Sequence, residues 1–232
     1  MYFVGVDRIK INTMNVTNNR FLALAGIVGP ILFALATVIF GNLRFGYSHL
    51  HHFISELGAT DTPNALLMNA AGFIPTGILI AIFGISLLMM LKKQKNTLIG
   101  STLIIIFGSG ILVDGFFSCD AGCPEGGSME NLIHNSIAPL AFVSAIVGIG
   151  LLGFSFRKMQ DFHFLWKYSI LSSSISFIFL LALIASLDSR QFTGLWQRLL
   201  LFSIFLWCGI IGMRIFKIGK GKPIDNNSAV VE

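Results

Sequence analysis

The run FLALAGIVGPILFALATVIFG, residues 21–41, decides the fold of this chain because it contains no charged side chain. A helix of about 20 predominantly apolar residues crosses the ~30 Å hydrocarbon core of a bilayer. The whole chain has the same character: 54% of its 232 residues are hydrophobic, 22 are phenylalanine and the mean hydropathy is +0.79. Charged residues make up only 12%, against about 25% in soluble domains. The composition therefore predicts an integral membrane protein.

Five further runs share the length and apolar character of the first. In lipid, an α-helix satisfies its own backbone hydrogen bonds, whereas an isolated strand does not. We therefore predict an all-α fold, an integral membrane bundle of six transmembrane helices. The predicted spans are residues 21–41, 66–91, 97–118, 133–154, 168–187 and 195–216. The transmembrane domain covers residues 21–216, between a cytoplasmic N-terminal segment at 1–20 and a cytoplasmic tail at 217–232.

Lysine and arginine cluster in segments that six alternating spans place at one face of the membrane. These segments are KKQK at 92–95, the link between the fourth and fifth spans, and both ends of the chain. Basic residues accumulate on the cytoplasmic side of membrane proteins. Both termini are therefore predicted to be cytoplasmic, in a multi-pass protein of the plasma (inner) membrane. This topology accounts for the net charge of +5, so no nucleic-acid partner is expected.

The links at the opposite face carry most of the histidines and acids of the chain. Polar groups near membrane depth are costly and usually functional, so these links predict an outward-facing pocket. The alternative is that the two longer links fold over the bundle and hydrogen-bond only to themselves. The candidate ligand-binding residues are Ser55, Glu56, Asp114, Asp120, His134 and Arg198.

The link FFSCDAGCPEGGSMENLIH, residues 116–134, contains Cys119 and Cys123. An extracytoplasmic position favours a disulfide between them, and Gly122 and Pro124 favour the chain reversal that such a bond needs. Metal ligation is a second interpretation, weakened because no further Cys or His pair follows at the spacing of a zinc finger. Two free thiols are a third. We predict the disulfide.

Two charged residues lie deeper than the links. Asp114 precedes Cys119 by more than one helical turn, inside the third span. The interval from Arg198 to Arg214 is too short to cross the membrane by itself. The sixth span must therefore begin before Arg198, which draws this side chain below the outer surface.

An acid and a guanidinium at similar depth are expected to pair. We therefore predict that Asp114, Arg198 and His134 line one polar pocket, capped by the loop of Ser55 and Glu56. In the alternative, Arg198 extends to the lipid headgroups and Asp114 is protonated or faces water.

Three motifs occur in a characteristic order: GYS…ISELG after the first span, DGFFSCDAGCP after the third, and a histidine that opens the fourth. This order resembles the bacterial and archaeal membrane family called domain of unknown function 998, over about residues 21–215. Phe45 stands where the family pattern often has proline. The resemblance implies a six-helix membrane protein and no particular activity. The motif positions that it carries to this chain are Ser55, Gly58, Asp114, Asp120 and His134.

Three classes of function fit these features. The first, which we favour, is a binding protein whose pocket holds a lipid headgroup or a small ligand, with membrane lipids as partners, no cofactor and unknown protein partners. The second is a metal-dependent intramembrane hydrolase acting on lipid, in which zinc lowers the pKa of a bound water. Its candidate metal ligands are His51, His52 and His134. The third is a b-type cytochrome with haem between His52 and His134.

The predicted orientation can be tested by labelling in intact cells. A cysteine introduced at Asp120 should react with a membrane-impermeant thiol reagent added from outside, because this link faces away from the basic segments. A cysteine introduced at Gln94 should react only after the membrane is permeabilised. The reverse pattern would contradict the orientation.

Overall fold

The computed structural model describes residues 20–91 and 94–221, and of residues 219–221 it describes the backbone alone. Nearly all of the predicted N-terminal segment, two lysines of KKQK and most of the predicted tail lie outside the described residues.

Six long helices make up the described chain: α1 (Arg20–Leu43), α2 (Ala65–Met90), α3 (Lys95–Phe116), α4 (Met129–Phe156), α5 (His163–Ala185) and α6 (Thr193–Gly221). All six are long and apolar enough to cross a membrane, α6 with its part up to Ile218. No strand occurs in the described ranges. The prediction of an all-α bundle with six spans is therefore confirmed, and the protein is an integral multi-pass membrane protein.

The largest boundary differences from the predicted spans are at the starts of α4 and α5 and at the end of α6. Helix α4 begins at Met129 because Ser128 caps its first turn, accepting a hydrogen bond at Oγ from the backbone N–H of Asn131. Capping side chains satisfy N–H groups that a helix cannot satisfy itself. Polar residues thus extend the helix beyond the apolar run from which the span was predicted.

The helices form a closed ring in chain order, in which each packs on its sequence neighbours and α1 packs on α6. Phenylalanines fill its centre. Phe33 of α1 makes edge contacts with Phe73 of α2 and Phe205 of α6, at centroid distances of 5.1 and 5.8 Å. Phe107 of α3 reaches the same Phe205 ring at 6.0 Å. The aromatic cluster therefore links four of the six helices.

Glycines bring α2 and α3 into backbone contact. A Cβ atom on Gly108 of α3 would lie within 2.9 Å of the Cα atom of Ala81 and the carbonyl oxygen of Gly77 on α2. Small residues at such crossings let membrane helices approach closely, which replaces the hydrophobic drive that lipid does not supply.

The links at 44–64, 117–128 and 186–192 meet at one end of the bundle, called here the outer end. The first of these, residues 44–64, is called the lid. Its short 3-10 helix, Ser55–Gly58, is buried at all four positions. The Thr60 N–H donates to the Cys119 carbonyl at 2.9 Å, and the Leu195 N–H donates to the Leu50 carbonyl at 2.9 Å. The lid is therefore packed into the bundle end and fixed to the link at 117–128 and to the first turn of α6.

Cys119 and Cys123 form the disulfide that the sequence predicted. Both cysteines are buried, and the Thr60 contact connects the bonded segment to the lid. Cys208, the third cysteine, is free and buried inside α6.

The α2–α3 crossing gives a stability prediction. Gly108→Ala should lower the unfolding free energy by about 1–3 kcal/mol, the usual range for overpacking, because the added methyl meets backbone atoms that cannot move aside. Gly126→Ala is the matched control, since a Cβ there meets nothing within 4 Å. Thermal melting of the purified proteins in detergent measures both. Equal melting temperatures for the two variants would contradict the packing.

Candidate functional site

Arg198 organises the first of two polar sites at the outer end. It lies one helical turn inside α6, where its Nη1 donates to the carbonyls of His52 at 3.1 Å and Gly194 at 2.9 Å. Its Nη2 donates to the Tyr47 hydroxyl at 2.6 Å and to His49 Nδ1 at 3.1 Å. Three of these four acceptors belong to the lid, so one guanidinium fixes the lid to α6.

Among the described residues, no carboxylate lies within ion-pair distance of Arg198. Its four acceptors are uncharged groups, its Nε makes no hydrogen bond, and none of the ion pairs between described residues involves it. The predicted Asp114–Arg198 pair is therefore wrong. The cause is that lid carbonyls and rings occupy the guanidinium, while Asp114 contacts a different helix.

The rings beside Arg198 are uncharged at neutral pH. Burial raises the pKa of the Tyr47 hydroxyl, although Arg198 acts in the opposite direction. Burial and the nearby Arg198 charge both lower the pKa of His49. A neutral imidazole can accept a hydrogen bond at Nδ1, which agrees with the contact to Arg198. Neither ring therefore cancels the positive charge of Arg198.

An apolar groove of about 900 Å³ runs between α1 and α6, with Arg198 and His49 at its outer end. Thr37 also lines it; this residue is 6% exposed and its buried Oγ1 has no hydrogen-bond partner. Ligand pockets usually measure about 300–1,000 Å³ and combine apolar walls with a few polar groups. The remaining walls are apolar for the most part, including Ile31, Val38, Phe202, Leu206 and Gly209.

Asp114 and His134 form the second site. His134 Nδ1 lies 3.4 Å from Asp114 Oδ1 and 3.1 Å from the Phe117 carbonyl oxygen. A carbonyl only accepts, so Nδ1 carries the hydrogen and Nε2 is the basic nitrogen of the neutral ring. Both side chains are more than nine-tenths buried. The partner of Asp114 is thus His134, where the sequence had predicted Arg198.

A cavity of about 30 Å³ adjoins this pair. Ser55 and Gln197 line it together with Asp114 and His134. Such a volume has room for about one water molecule. The Ser55 lid residue therefore lies over Asp114 and His134, whereas Arg198 lines the separate groove. The predicted single pocket is divided in two.

The wall between the two sites is one side chain thick. Phe33, Ile54 and Leu201 line both the groove and the small cavity. Ile54 is part of the lid, and its N–H donates to Gln197 Oε1 at 2.6 Å.

Glu56 and Asp120 line neither space. Glu56 Oε1 accepts from the Phe53 N–H at 3.0 Å within the lid. Asp120 accepts from the Ser128 N–H at 2.8 Å and hydroxyl at 2.7 Å, which lowers its carboxyl pKa and secures the start of α4. These two predicted site residues therefore stabilise the links through hydrogen bonds and do not line either cavity.

A family model described as "Protein of unknown function (DUF998)" matches residues 27–214. The chain belongs to this family. The match confirms the resemblance carried by the three motifs, and it includes all the residues of both sites. A search of curated proteins and a search of solved structures found no match.

In this DUF998 chain, the described residues do not assemble the donors of a metal centre. His51 Nδ1 accepts from the Phe192 N–H, and His52 Nδ1 accepts from the Ser48 N–H. Within residues 20–91 and 94–221, no three His, Cys, Asp or Glu side chains form a group suited to a metal ion. The residues present therefore do not fit the zinc site of the hydrolase alternative. The water-sized space beside His134 likewise does not fit a haem.

Sequence reasoning missed Gln197, Tyr47 and Thr37 as lining or anchoring residues. Gln197 carried a usable signal, because an amide inside an apolar span is costly unless it is hydrogen-bonded. The Phe117 carbonyl, which fixes the His134 tautomer, gave no signal in the sequence, because every residue has a backbone carbonyl.

The separation of the sites can be tested with two double-mutant cycles. The effects of Asp114→Asn and His134→Gln on the free energy of unfolding should deviate from additivity by about 0.5–3 kcal/mol, because the two side chains are in contact. The effects of Asp114→Asn and Arg198→Gln on the free energy of unfolding should be additive to within about 0.5 kcal/mol, because the two side chains share no partner. Unfolding of the detergent-purified variants measures both. Strong coupling of Asp114 to Arg198 would contradict the divided arrangement.

Proposed function

We propose that this protein binds an anionic phospholipid, with the phosphate at Arg198 and one acyl chain in the groove between α1 and α6. The proposal places the site in the outer leaflet of the plasma membrane, following the predicted orientation.

The observation that carries the proposal is the uncompensated charge of Arg198. A charged side chain within a membrane span is costly unless it is paired. Neutral acceptors orient the guanidinium but do not cancel its charge. The Nη1 and Nη2 hydrogens already bond the lid and Gly194, so the Nε–H, which has no hydrogen-bond partner, is the donor left for a phosphate oxygen. A hydrogen bond from a guanidinium to a phosphate is charge-assisted and therefore strong. A phosphate from the bilayer would supply the missing anion.

The groove supports the second half of the proposal. Ile31, Val38, Phe202 and Leu206 are each about half exposed although they line it. The groove is therefore open along the sides of two transmembrane helices, where acyl chains are the surrounding solvent. A chain that enters from the side reaches the Arg198 end without crossing a polar barrier.

Lipid selectivity tests the proposal. The purified protein is equilibrated with phosphatidylglycerol or phosphatidylcholine of identical acyl chains, and bound lipid is counted by native mass spectrometry. The wild type should retain phosphatidylglycerol preferentially. Arg198→Gln should weaken its retention about 10- to 100-fold, since a charge-assisted hydrogen bond contributes about 1.5–3 kcal/mol. Arg198→Lys should keep much of the preference, because it keeps the charge.

Two further variants distinguish the contribution of the lipid headgroup to binding from that of the acyl chain. Arg190→Gln is the charge control, because Arg190 lies at the same end but donates to the Gly122 and Cys123 carbonyls outside the groove. It should bind phosphatidylglycerol normally. Gly209→Phe should reduce retention of both lipids, because a Cβ at this groove position meets only the Gly26 carbonyl, at 3.8 Å, and the ring would fill the groove. Equal retention by wild type and Arg198→Gln would refute the proposal.

A further inference from the structure

We infer that Ser55, His134 and Asp114 form the reactive centre of an ester hydrolase that acts on the bound phospholipid. This inference rests on the proposed lipid site for its substrate and adds to it a covalent activity at the adjacent cavity.

Ser55 has the surroundings of a nucleophile rather than of a structural serine. It lies in the 3-10 helix of the lid, is 9% exposed and lines the cavity beside His134. Among the described residues, its Oγ makes no hydrogen bond, unlike the helix serines whose hydroxyls bond backbone carbonyls, such as Ser155 and Ser169. The Ser55 hydroxyl therefore keeps its proton and lone pairs for a group in the cavity that it lines.

His134 is oriented as a general base. Its Nδ1 hydrogen is donated to the Phe117 carbonyl, and the Asp114 carboxyl lies 3.4 Å from Nδ1 without a hydrogen bond to it, so the unbonded Nε2 keeps the lone pair. The Phe117 carbonyl holds this tautomer, and a buried carboxyl beside Nδ1 stabilises the imidazolium that forms when Nε2 takes a proton. Asp114 is therefore a positioning residue, and His134 is the base.

Gln197 can supply the donor that an oxyanion requires. Its Oε1 accepts from the Ile54 N–H, which leaves the NH₂ group of the same amide for the cavity that Gln197 lines. Side-chain amides serve in oxyanion holes, where a preorganised donor stabilises the tetrahedral intermediate. The four groups of an acyl-transfer site thus line one space.

Lipid reaches this space through the shared wall. Gln197 and Arg198 are successive residues, so a phosphate held at Arg198 brings the glycerol esters of the same molecule to the wall of Phe33, Ile54 and Leu201. A cavity of about 30 Å³ admits no ester group while the wall is in place. Entry therefore requires Ile54, and with it part of the lid, to move.

The reaction balances with water as the co-reactant. His134 Nε2 takes the Ser55 hydroxyl proton as Oγ bonds to the ester carbonyl carbon. The carbon–oxygen bond to glycerol then breaks, and the departing oxygen takes the proton from His134, leaving a lysophospholipid and acyl-Ser55. Water gives a proton to His134 and attacks the acyl carbon. The Ser55 oxygen leaves and regains that proton, and a fatty acid is released.

A fluorophosphonate probe tests the nucleophile directly. Peptide mass spectrometry of the full chain in phosphatidylglycerol nanodiscs should find the probe on Ser55. Ser48 is the matched control: it lies in the same lid, is more exposed and lines neither space, so it should stay unlabelled. His134→Gln should slow labelling of Ser55 by about 10²–10⁴-fold, the contribution of a general base. Asp114→Asn should also shift the pH profile of labelling, which a purely structural role would not do.

Fatty-acid release from the nanodiscs is the second readout. Ser55→Ala should abolish it while leaving phosphatidylglycerol binding intact, and Ser48→Ala should leave both unchanged. Bound phosphatidylglycerol with neither labelling of Ser55 nor fatty-acid release would overturn the inference and leave the lipid site standing. Labelling of Ser55 without Arg198-dependent lipid binding would overturn the proposed function and the substrate assigned here. If Ser55→Ala does not fold, fatty-acid release and Ser55 labelling are compared between the wild type and His134→Gln, and equal rates would overturn the inference.

Discussion

The outer end of the molecule depends on the contact between one guanidinium and the backbone of the lid. Arg198 bonds the His52 carbonyl, the Tyr47 hydroxyl and the His49 ring, and thereby fixes the lid against the start of α6. Gly194, one turn earlier, permits this closeness, because a Cβ there would overlap the His52 carbonyl oxygen. With the lid held in this register, Ile54 becomes a wall and Ser55 faces the buried pair. Both cavities therefore depend on this anchoring interaction.

The far side of the lid is secured by an irregular turn in α2. Residues Asn69–Phe73 form a π-helical turn, a departure that often marks functional positions. Asn69 Nδ2 donates to the Gly58 carbonyl at 3.0 Å and to Ser118 Oγ at 2.8 Å. Gly58 must lack a side chain, since a Cβ would overlap Asn69 Oδ1. Together with the Thr60–Cys119 hydrogen bond, this contact ties the lid to α2 and to the disulfide segment. The lid is thus anchored on three sides of the ring.

The spans were predictable because hydropathy is a local property of the sequence, and the disulfide because its two cysteines are close in sequence. The pairing of Asp114 was not predictable on the same basis. Apolar runs and charge positions give the depth of a residue in the membrane but not the direction in which it faces around a ring of helices. Asp114 and Arg198 share a depth, yet α3 directs one to α4 while α6 directs the other to the lid. The acceptors of Arg198 include backbone carbonyls, which no residue type reveals.

The division into two sites has a consequence for the charge of Arg198. Successive helical residues point about 100° apart, so Gln197 lines the interior cavity and Arg198 the groove. Phe33, Ile54 and Leu201 separate the guanidinium from Asp114. An ion pair between Asp114 and Arg198, as the sequence suggested, would have cancelled the positive charge within the protein and left a neutral groove. Because Asp114 lies beside His134, it does not cancel the charge of Arg198, which in the proposed function pairs with a lipid phosphate. The same separation leaves Asp114 free to orient His134, so each site depends on the other being kept apart.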